Sequence, residues 1–250
     1  MNNGYAQNVM DASVYLGVDY SGVYPRGGPG RPSVRLISNN SYTHGLFILD
    51  LSHMPVGCGT WPAFWTLGPN WPNNGEIDII EGVSLNTNNA MTLHTTPNCT
   101  IAGSGMTGTL QTNNCAYYPG YNVGCSITDP STQNHGYNFN DNSGGVYATE
   151  WTSSYIRIWF FPRGFVPSSI TSGAPDVSQF GTPTALFQGN CQIDNHFANH
   201  QMVINTDFCG DNASNAYAAS LCPKQPVPLA GVLASIFLAT ILKTSRRHIG

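Results

Sequence analysis

Three carboxylates fall within six residues at Gly75-Glu-Ile-Asp-Ile-Ile-Glu-Gly82, in a chain of 250 residues with only 13 acidic side chains. Glu76, Asp78 and Glu81 are interleaved with isoleucine. In a regular strand side chains alternate between faces, so Glu76 and Asp78 share one face with Ile80, and Ile77 and Ile79 share the other with Glu81. Each face then mixes carboxylate with isoleucine. One extra residue removes the conflict: a β-bulge near Ile79-Ile80 carries Glu81 round to the face of Glu76 and Asp78 and leaves the isoleucines to a core. Three acids on one sheet face repel each other, which raises at least one pKa and favours a shared proton. Two carboxyl groups with separated pKa values suit acetal cleavage, in which one protonates the departing oxygen and the other attacks carbon or orients water. The plainer alternative is a solvated strand face, where acids cost little.

The surroundings weigh against that alternative. Trp61, Trp65 and Trp71 lie within fifteen residues upstream of Glu76. Indole faces stack on the apolar faces of sugar rings, although a tryptophan with its N–H bonded is equally an ordinary core residue. Trp71 sits in the turn sequence Asn70-Trp-Pro-Asn-Asn74, where a core role is less expected. His94 belongs to a neighbouring strand and can serve a sugar hydroxyl, Glu76 or the framework alone.

Stepping outward from these residues, the composition dictates what can position them. Charged residues are 9% of the chain, while 27 Gly, 17 Pro and 25 Asn supply turn formers. This excludes coiled coils, bundles and helical repeats, and 41% hydrophobic residues exclude wholesale disorder. An all-β, loop-rich domain fits. Strands are expected at Ser33–Ile37, Gly45–Leu51, Ala63–Leu67, Glu76–Glu81, Met91–Thr95, Gly145–Trp151, Tyr155–Phe161 and His200–Asn205. The last but one alternates Tyr155, Arg157, Trp159 and Phe161 with Ile156, Ile158 and Phe160, so both faces are apolar or aromatic, as in a two-sheet sandwich. Asn98–Asn142 reads as long loops.

All 13 acids precede Lys224, against five arginines, so that part carries −8 and the last 27 residues carry +4. Such a domain has few cations with which to displace phosphate counterions, and no nucleic-acid partner is expected. Seven cysteines without a CxxC argue against a zinc ribbon and for three disulfides with one thiol over, their pairing open. Sequons at Asn39, Asn98 and Asn212 fit an extracellular or cell-surface location. Met1–Tyr5 has neither the basic start nor the apolar run of a secretory signal. His196-Phe-Ala-Asn-His200 has the spacing of a helical metal pair, but no glutamate lies between and no third ligand is evident, so no metal centre is expected. No Gly-x-Ser-x-Gly supports a serine nucleophile.

Val227–Leu242 is apolar apart from Ser235 and Thr240 and is followed by Lys243, Arg246 and Arg247. It is read as a membrane segment at the short end of the spanning range, tethering the domain to a membrane with the basic residues inside. A buried helix is the alternative. Residues 223–228 read as a linker and 243–250 as a basic tail.

Gly75–Gly82 matches the Glu-x-Asp-x-x-Glu signature of glycoside hydrolase family 16 in its bulged, laminarinase-like form. The segments Thr43-His-Gly-Leu-Phe47, His53-Met-Pro-Val-Gly-Cys-Gly-Thr-Trp-Pro-Ala-Phe-Trp65, Met91-Thr-Leu-His-Thr95, Gly145-Val-Tyr-Ala-Thr-Glu-Trp151 and Asp207-Phe-Cys-Gly-Asp211 match as well. From about Val14 to Asp211 the chain resembles fungal endo-β-1,3(4)-glucanases. The resemblance implies a concanavalin A-like jelly-roll β-sandwich over residues 1–222 with a substrate cleft on its concave face. It implies a monomer without cofactor, a structural calcium being permitted. Glu76 would be the nucleophile, Glu81 the general acid/base, and Asp78 the residue tuning Glu76, in retaining cleavage of β-1,3 or mixed β-1,3/1,4-glucan through a covalent glycosyl-enzyme. Trp65, Trp71 and His94 would line the cleft. Glu150 would be a surface or supporting acid. The alternatives are a transglycosylase, with the same intermediate and a sugar acceptor, and a non-catalytic glucan-binding module, which has no need of Glu76 and Glu81 together. In three places the chain departs from the family. Asn212 stands where the family typically has Trp, no closing strand is recognisable after Cys222, and no N-terminal strand is recognisable before Tyr5.

Overall fold

The computed structural model describes residues 6–8, 13–25, 28 and 30–223, with the backbone alone of residues 237–242. Two seven-stranded antiparallel sheets face each other. The cleft-bearing sheet runs β3 (Arg35–Ile37), β15 (Gln201–Phe208), β5 (Thr60–Leu67), β6 (Glu76–Glu81), β7 (Ala90–His94), β10 (Cys125–Thr128), β9 (Thr109–Thr112). The opposing sheet runs β1 (Ala6–Asn8), β2 (Val14–Leu16), β16 (Phe237–Leu242), β4 (Gly45–His53), β11 (Gly145–Trp151), β12 (Ile156–Pro162), β13 (Ala185–Phe187). A short ribbon pairs β8 (Thr100–Ile101) with β14 (Gly189–Asn190).

Alternation decides which side chains meet between the sheets. Phe64, Ile77, Ile80, Leu93, Ile127 and Ile204 from the cleft-bearing sheet pack with Phe47, Leu49, Leu51, Tyr147, Trp151 and Ile158 from the other. The opposing sheet is apolar on its outer side too. There Leu46, Ile48, Val146, Ala148, Trp159 and Phe161 pack under Ile170 and Phe180. The split of β12 into two apolar faces is thus the one its sequence predicts. All eight expected strands form, with ends shifted by up to three residues. The stretch 98–142 is less irregular than expected: it holds β8, β9, β10 and a short helix, Gly136–Asp141.

Three disulfides close loops of very different span, Cys58–Cys222, Cys99–Cys191 and Cys115–Cys125, leaving Cys209 as the free thiol. The expected number is met, and the pairing is new information.

The expected C-terminal membrane segment is not supported where the chain is described. Phe237–Leu242 is an antiparallel strand between β2 and β4, with Thr240 opposite Asp50 and Leu242 opposite Ile48. Among the described residues no helix is long and apolar enough to cross a membrane. An interior strand of a sheet covered on both faces demands the same unbroken apolar run as a membrane segment, so composition does not separate them. This strand lies after Cys222, where no closing strand was recognisable, while residues 1–5, where no N-terminal strand was recognisable, lie outside the described residues. Residues 224–236 and 243–250, which hold most of the expected linker, the first ten of the sixteen residues of the expected membrane segment and the basic tail, lie outside the described residues.

Candidate active site

Strand β6 enters and leaves through glycine. Gly75 has φ +74°, a left-handed conformation that L side chains rarely adopt, and a Cβ there would collide with the Phe197 ring. Between these ends the ladder slips. Against β5, Phe64 lies opposite Ile80 but Trp65 lies opposite Asp78, so Ile79 is passed over. Against β7, Asp78 opposes Thr92 and Glu81 opposes Ala90, setting two residues against one. This is the bulge that the carboxylate spacing requires. Ile77, Ile79 and Ile80 are each at most 1% exposed, and burying them contributes about 2 kcal/mol apiece. That term outweighs a ladder irregularity and drives all three acids to the opposite face.

Glu76, Asp78 and Glu81 line one cavity with Trp61, Ala63 and Trp65 of β5. Arg35, Asn205 and Asp207 complete its wall. Trp65 is fixed from both sides: its Nε1 donates to Asn205 Oδ1 at 2.7 Å, and the Arg35 guanidinium lies 4.7 Å from its ring centre.

The acids differ in their donors. Trp71 Nε1 donates to Glu76 Oε2 at 2.5 Å. Trp61 Nε1 donates to Glu81 Oε1 at 3.1 Å, and Asn212 Nδ2 stands 3.5 Å from the same oxygen. Burial is the main influence on each acid. It lifts Glu76 to about 7, opposed by the Trp71 N–H and reinforced by the charge on Glu81. Asp78 is raised well above the carboxylate range by burial and by the charges of Glu76 and Glu81. Glu81 is raised by burial against the pull of Trp61 and Asn212. The hydrogen bond between Glu76 and Asp78 lowers the Glu76 pKa and raises that of Asp78, so Asp78 is its donor. The set holds one carboxylate with two donors, Glu76, beside one carboxyl with an open second oxygen, Glu81. Such a pair can attack an electrophilic carbon and protonate a leaving group.

Of the expected substrate contacts, Trp65 lines the cavity. Trp71 reaches the set through Glu76 and packs against Tyr117, ring centres 4.6 Å apart and planes tilted by 59°. His94 lies opposite Glu76 in register, with Nε2 3.5 Å from Asp78 Oδ2. Burial pushes its pKa down to about 4, so it is neutral. Glu150 lies in the opposing sheet, paired to Arg157 at 3.7 Å and remote from the cavity. His196 and His200 have separate partners, Thr96 for one and Thr66 with the Asn74 carbonyl for the other. Trp61, one of the three indoles the sequence sets near the acids, lines the cavity as well, and Arg35, Asn205 and Asp207 are additions to the sequence-derived set. Trp61 shares its strand face with Trp65, a period-two signal open to sequence reading, whereas Asn205 and Asp207 share a face of β15 that only strand pairing sets beside the acids. Arg35 is brought in only by sheet order.

The sequence model of the XgeA-like catalytic domain of glycoside hydrolase family 16 matches residues 2–233. The chain belongs to glycoside hydrolase family 16. Within that family it is 49% identical over 223 residues to a probable endo-1,3(4)-β-glucanase of Aspergillus fumigatus, covering 88% of this chain and 34% of that protein. It is 46% identical over 222 residues to an endo-1,3(4)-β-glucanase of Emericella nidulans, covering 88% of this chain and 35% of the relative. The chain thus spans about a third of the length of these relatives. Among solved family 16 structures, an elongating β-1,3-glucosyltransferase superposes with a TM-score of 0.86 at 40% identity, covering 96% of this chain and 86% of that one. Laminarinase 16A of Phanerochaete chrysosporium, holding 6-O-glucosyl-laminaritriose in donor and acceptor sites, gives 0.82 at 40% identity, covering 91% and 83%.

Proposed function

We propose that this domain is a retaining endo-β-glucanase acting on β-1,3 or mixed β-1,3/1,4-glucan outside the cell. The observation that carries the reading is the bulged strand β6, which turns Glu76, Asp78 and Glu81 into one tryptophan-lined cavity. The Glu76 carboxylate attacks the anomeric carbon while Glu81 passes its proton to the departing glycosidic oxygen, leaving a glycosyl ester on Glu76. Glu81, now ionised, takes a proton from water as that water attacks the same carbon, and Glu76 is released. Asp78 holds Glu76 in line and lowers its pKa through their hydrogen bond. Trp65 and Trp61 offer indole to sugar faces, and the amide of Asn205 and the carboxylate of Asp207 suit hydroxyl groups. The named activities of the fungal relatives and the bound oligosaccharide of laminarinase 16A support a neutral glucan as substrate. Three disulfides support the extracellular location.

The test is reducing-sugar release from laminarin by the full chain beside Glu76→Gln. Release that vanishes in the variant while glucan binding persists supports the reading. A folded parent that binds laminarin without cleaving it overturns the reading in favour of a binding module. The similarity to the elongating glucosyltransferase raises a second reading, transfer to a sugar acceptor. Products longer than the starting oligosaccharide would identify it.

A further inference from the structure

The bulge that turns Glu81 toward the cleft interrupts the β6–β7 ladder between Asp78 and Glu81. The interruption lies where Ile79 and Ile80 are wholly buried, so backbone groups left unpaired there have no water to turn to. One side chain closes it. Asn89, itself wholly buried, donates from Nδ2 to the Ile79 carbonyl at 2.8 Å and accepts at Oδ1 from the Glu81 N–H at 2.9 Å. Both ends of one amide are spent on the two residues that flank Ile80.

Asn89 is in turn tied down. Its N–H donates to Asn134 Oδ1 at 2.7 Å, and its carbonyl accepts from the Asp129 N–H at 3.1 Å. Asn134 donates from Nδ2 to the Ser131 carbonyl at 2.6 Å, and its own carbonyl accepts from the Tyr147 hydroxyl on β11. The loop therefore links the opposing sheet to the backbone of residue 81. It also presses on the next residue: a Cβ on Gly82 would come within 2.6 Å of the His135 ring.

We propose that Asn89 is the positioning residue for Glu81, a strap across the bulge that fixes the backbone from which the proton-transferring carboxyl is aimed into the cleft. The proposal rests on the reading of Glu81 as general acid/base given above. It is specific to one reacting group. Glu76 and Asp78 precede the bulge and pair regularly with His94 and Thr92, so loss of the strap moves Glu81 and leaves the nucleophile in place.

The experiment compares two substrates on the same samples of the full chain, Asn89→Ala, Asn89→Asp and Glu81→Gln. Laminarin needs a proton on its leaving oxygen and a base for the incoming water. A 2,4-dinitrophenyl β-laminarioligosaccharide with added azide needs neither. Dinitrophenolate leaves unprotonated as Glu76 attacks, and azide then displaces Glu76 from the anomeric carbon without losing a proton. A ratio of two rates on one sample is independent of the folded fraction, so partial unfolding cannot imitate the effect. In Asn89→Ala the laminarin rate should fall about 100-fold, the scale of a misplaced catalytic group. The aryl rate with azide should stay close to that of the parent, as in Glu81→Gln. Asn89→Asp keeps the side-chain shape and the acceptor for the Glu81 N–H but loses the donor to Ile79. It should show a smaller change in the same ratio, and it carries the test if the alanine variant does not fold. Equal losses on both substrates, or an unchanged laminarin rate, overturn the strap while Glu81→Gln still upholds the acid/base reading. A parent inactive on both substrates overturns that reading, and the strap with it.

Discussion

Strands β6 and β11 lie in opposite sheets, each hydrogen-bonded on both sides, and each carries glutamate into a nearly dry setting. Glu150 on β11 is 9% exposed and lies directly opposite Arg157 on β12, with which it forms an ion pair. Glu76, Asp78 and Glu81 on β6 have no lysine or arginine within ion-pair distance among the described residues, and their partners are indoles, an amide, a neutral histidine and one another. One strand spends its acid on framework. The other sets three acids in one cavity without an ion pair, Arg35 acting on Glu76 only at longer range, and burial raises the pKa of all three. The two strands also differ in register partner: Glu150 faces an arginine, whereas none of the three acids on β6 faces a lysine or arginine in its ladders.

The sharpest way to break that comparison is to neutralise one acid on each strand. Glu81→Gln should lower kcat on laminarin by about 10²- to 10⁴-fold, while Glu150→Gln should leave kcat unchanged. Comparable losses in initial-rate assays would sink the distinction.

Stability against pH comes next in size. Burial lifts Glu76 from 4.5 to about 7, so the folded chain binds this proton more tightly than the unfolded chain. Its contribution to stability therefore declines as pH rises from about 4.5 to about 7. Glu76→Gln should melt above the parent at pH 7 and level with it at pH 4, by calorimetry. Buried His94, His135 and His200, pushed down from 6.5 to about 4, have the opposite slope and lose stability as pH falls through that range. They are common to both proteins and largely cancel in the difference.

Smaller effects refine the picture. Trp65→Ala should raise KM for laminari-oligosaccharides by about threefold to tenfold with little change in kcat, the range of one lost aromatic contact. Glu150→Gln should cost about 1 kcal/mol in chemical denaturation, because its pair with Arg157 is partly solvated. Smallest is Trp71→Phe, which keeps a ring but removes the N–H that lowers the Glu76 pKa. The acidic limb of the kcat/KM profile should move to higher pH, and an unmoved limb would mean that Trp71 does not tune Glu76.

Much of the site was legible because its signal is local. The conflict between carboxylates and isoleucines exists within eight residues, and only a bulge resolves it, so β6 could be drawn before the fold was known. Trp65 and Trp71 were legible for the same reason, being close in sequence to the acids they serve. Arg35, Asn205 and Asp207 were not. They reach the cavity because β15 pairs with β5 and β3 pairs with β15, across more than a hundred residues of chain. Asn89 is a further case: its value lies in two hydrogen bonds to another strand, and nothing in its own neighbourhood marks it.

The sequence by itself determined an all-β sandwich, the carboxylate strand and its bulge, the number of disulfides and the poverty of cations, since composition and period-two alternation are properties of the chain alone. Only the tertiary structure decided which cysteines pair, which polar residues join the acids, and that 237–242 is a strand between β2 and β4. The reason in each case is the same. An apolar run states that it must leave water without stating what will cover it, and that choice belongs to partners distant in the chain.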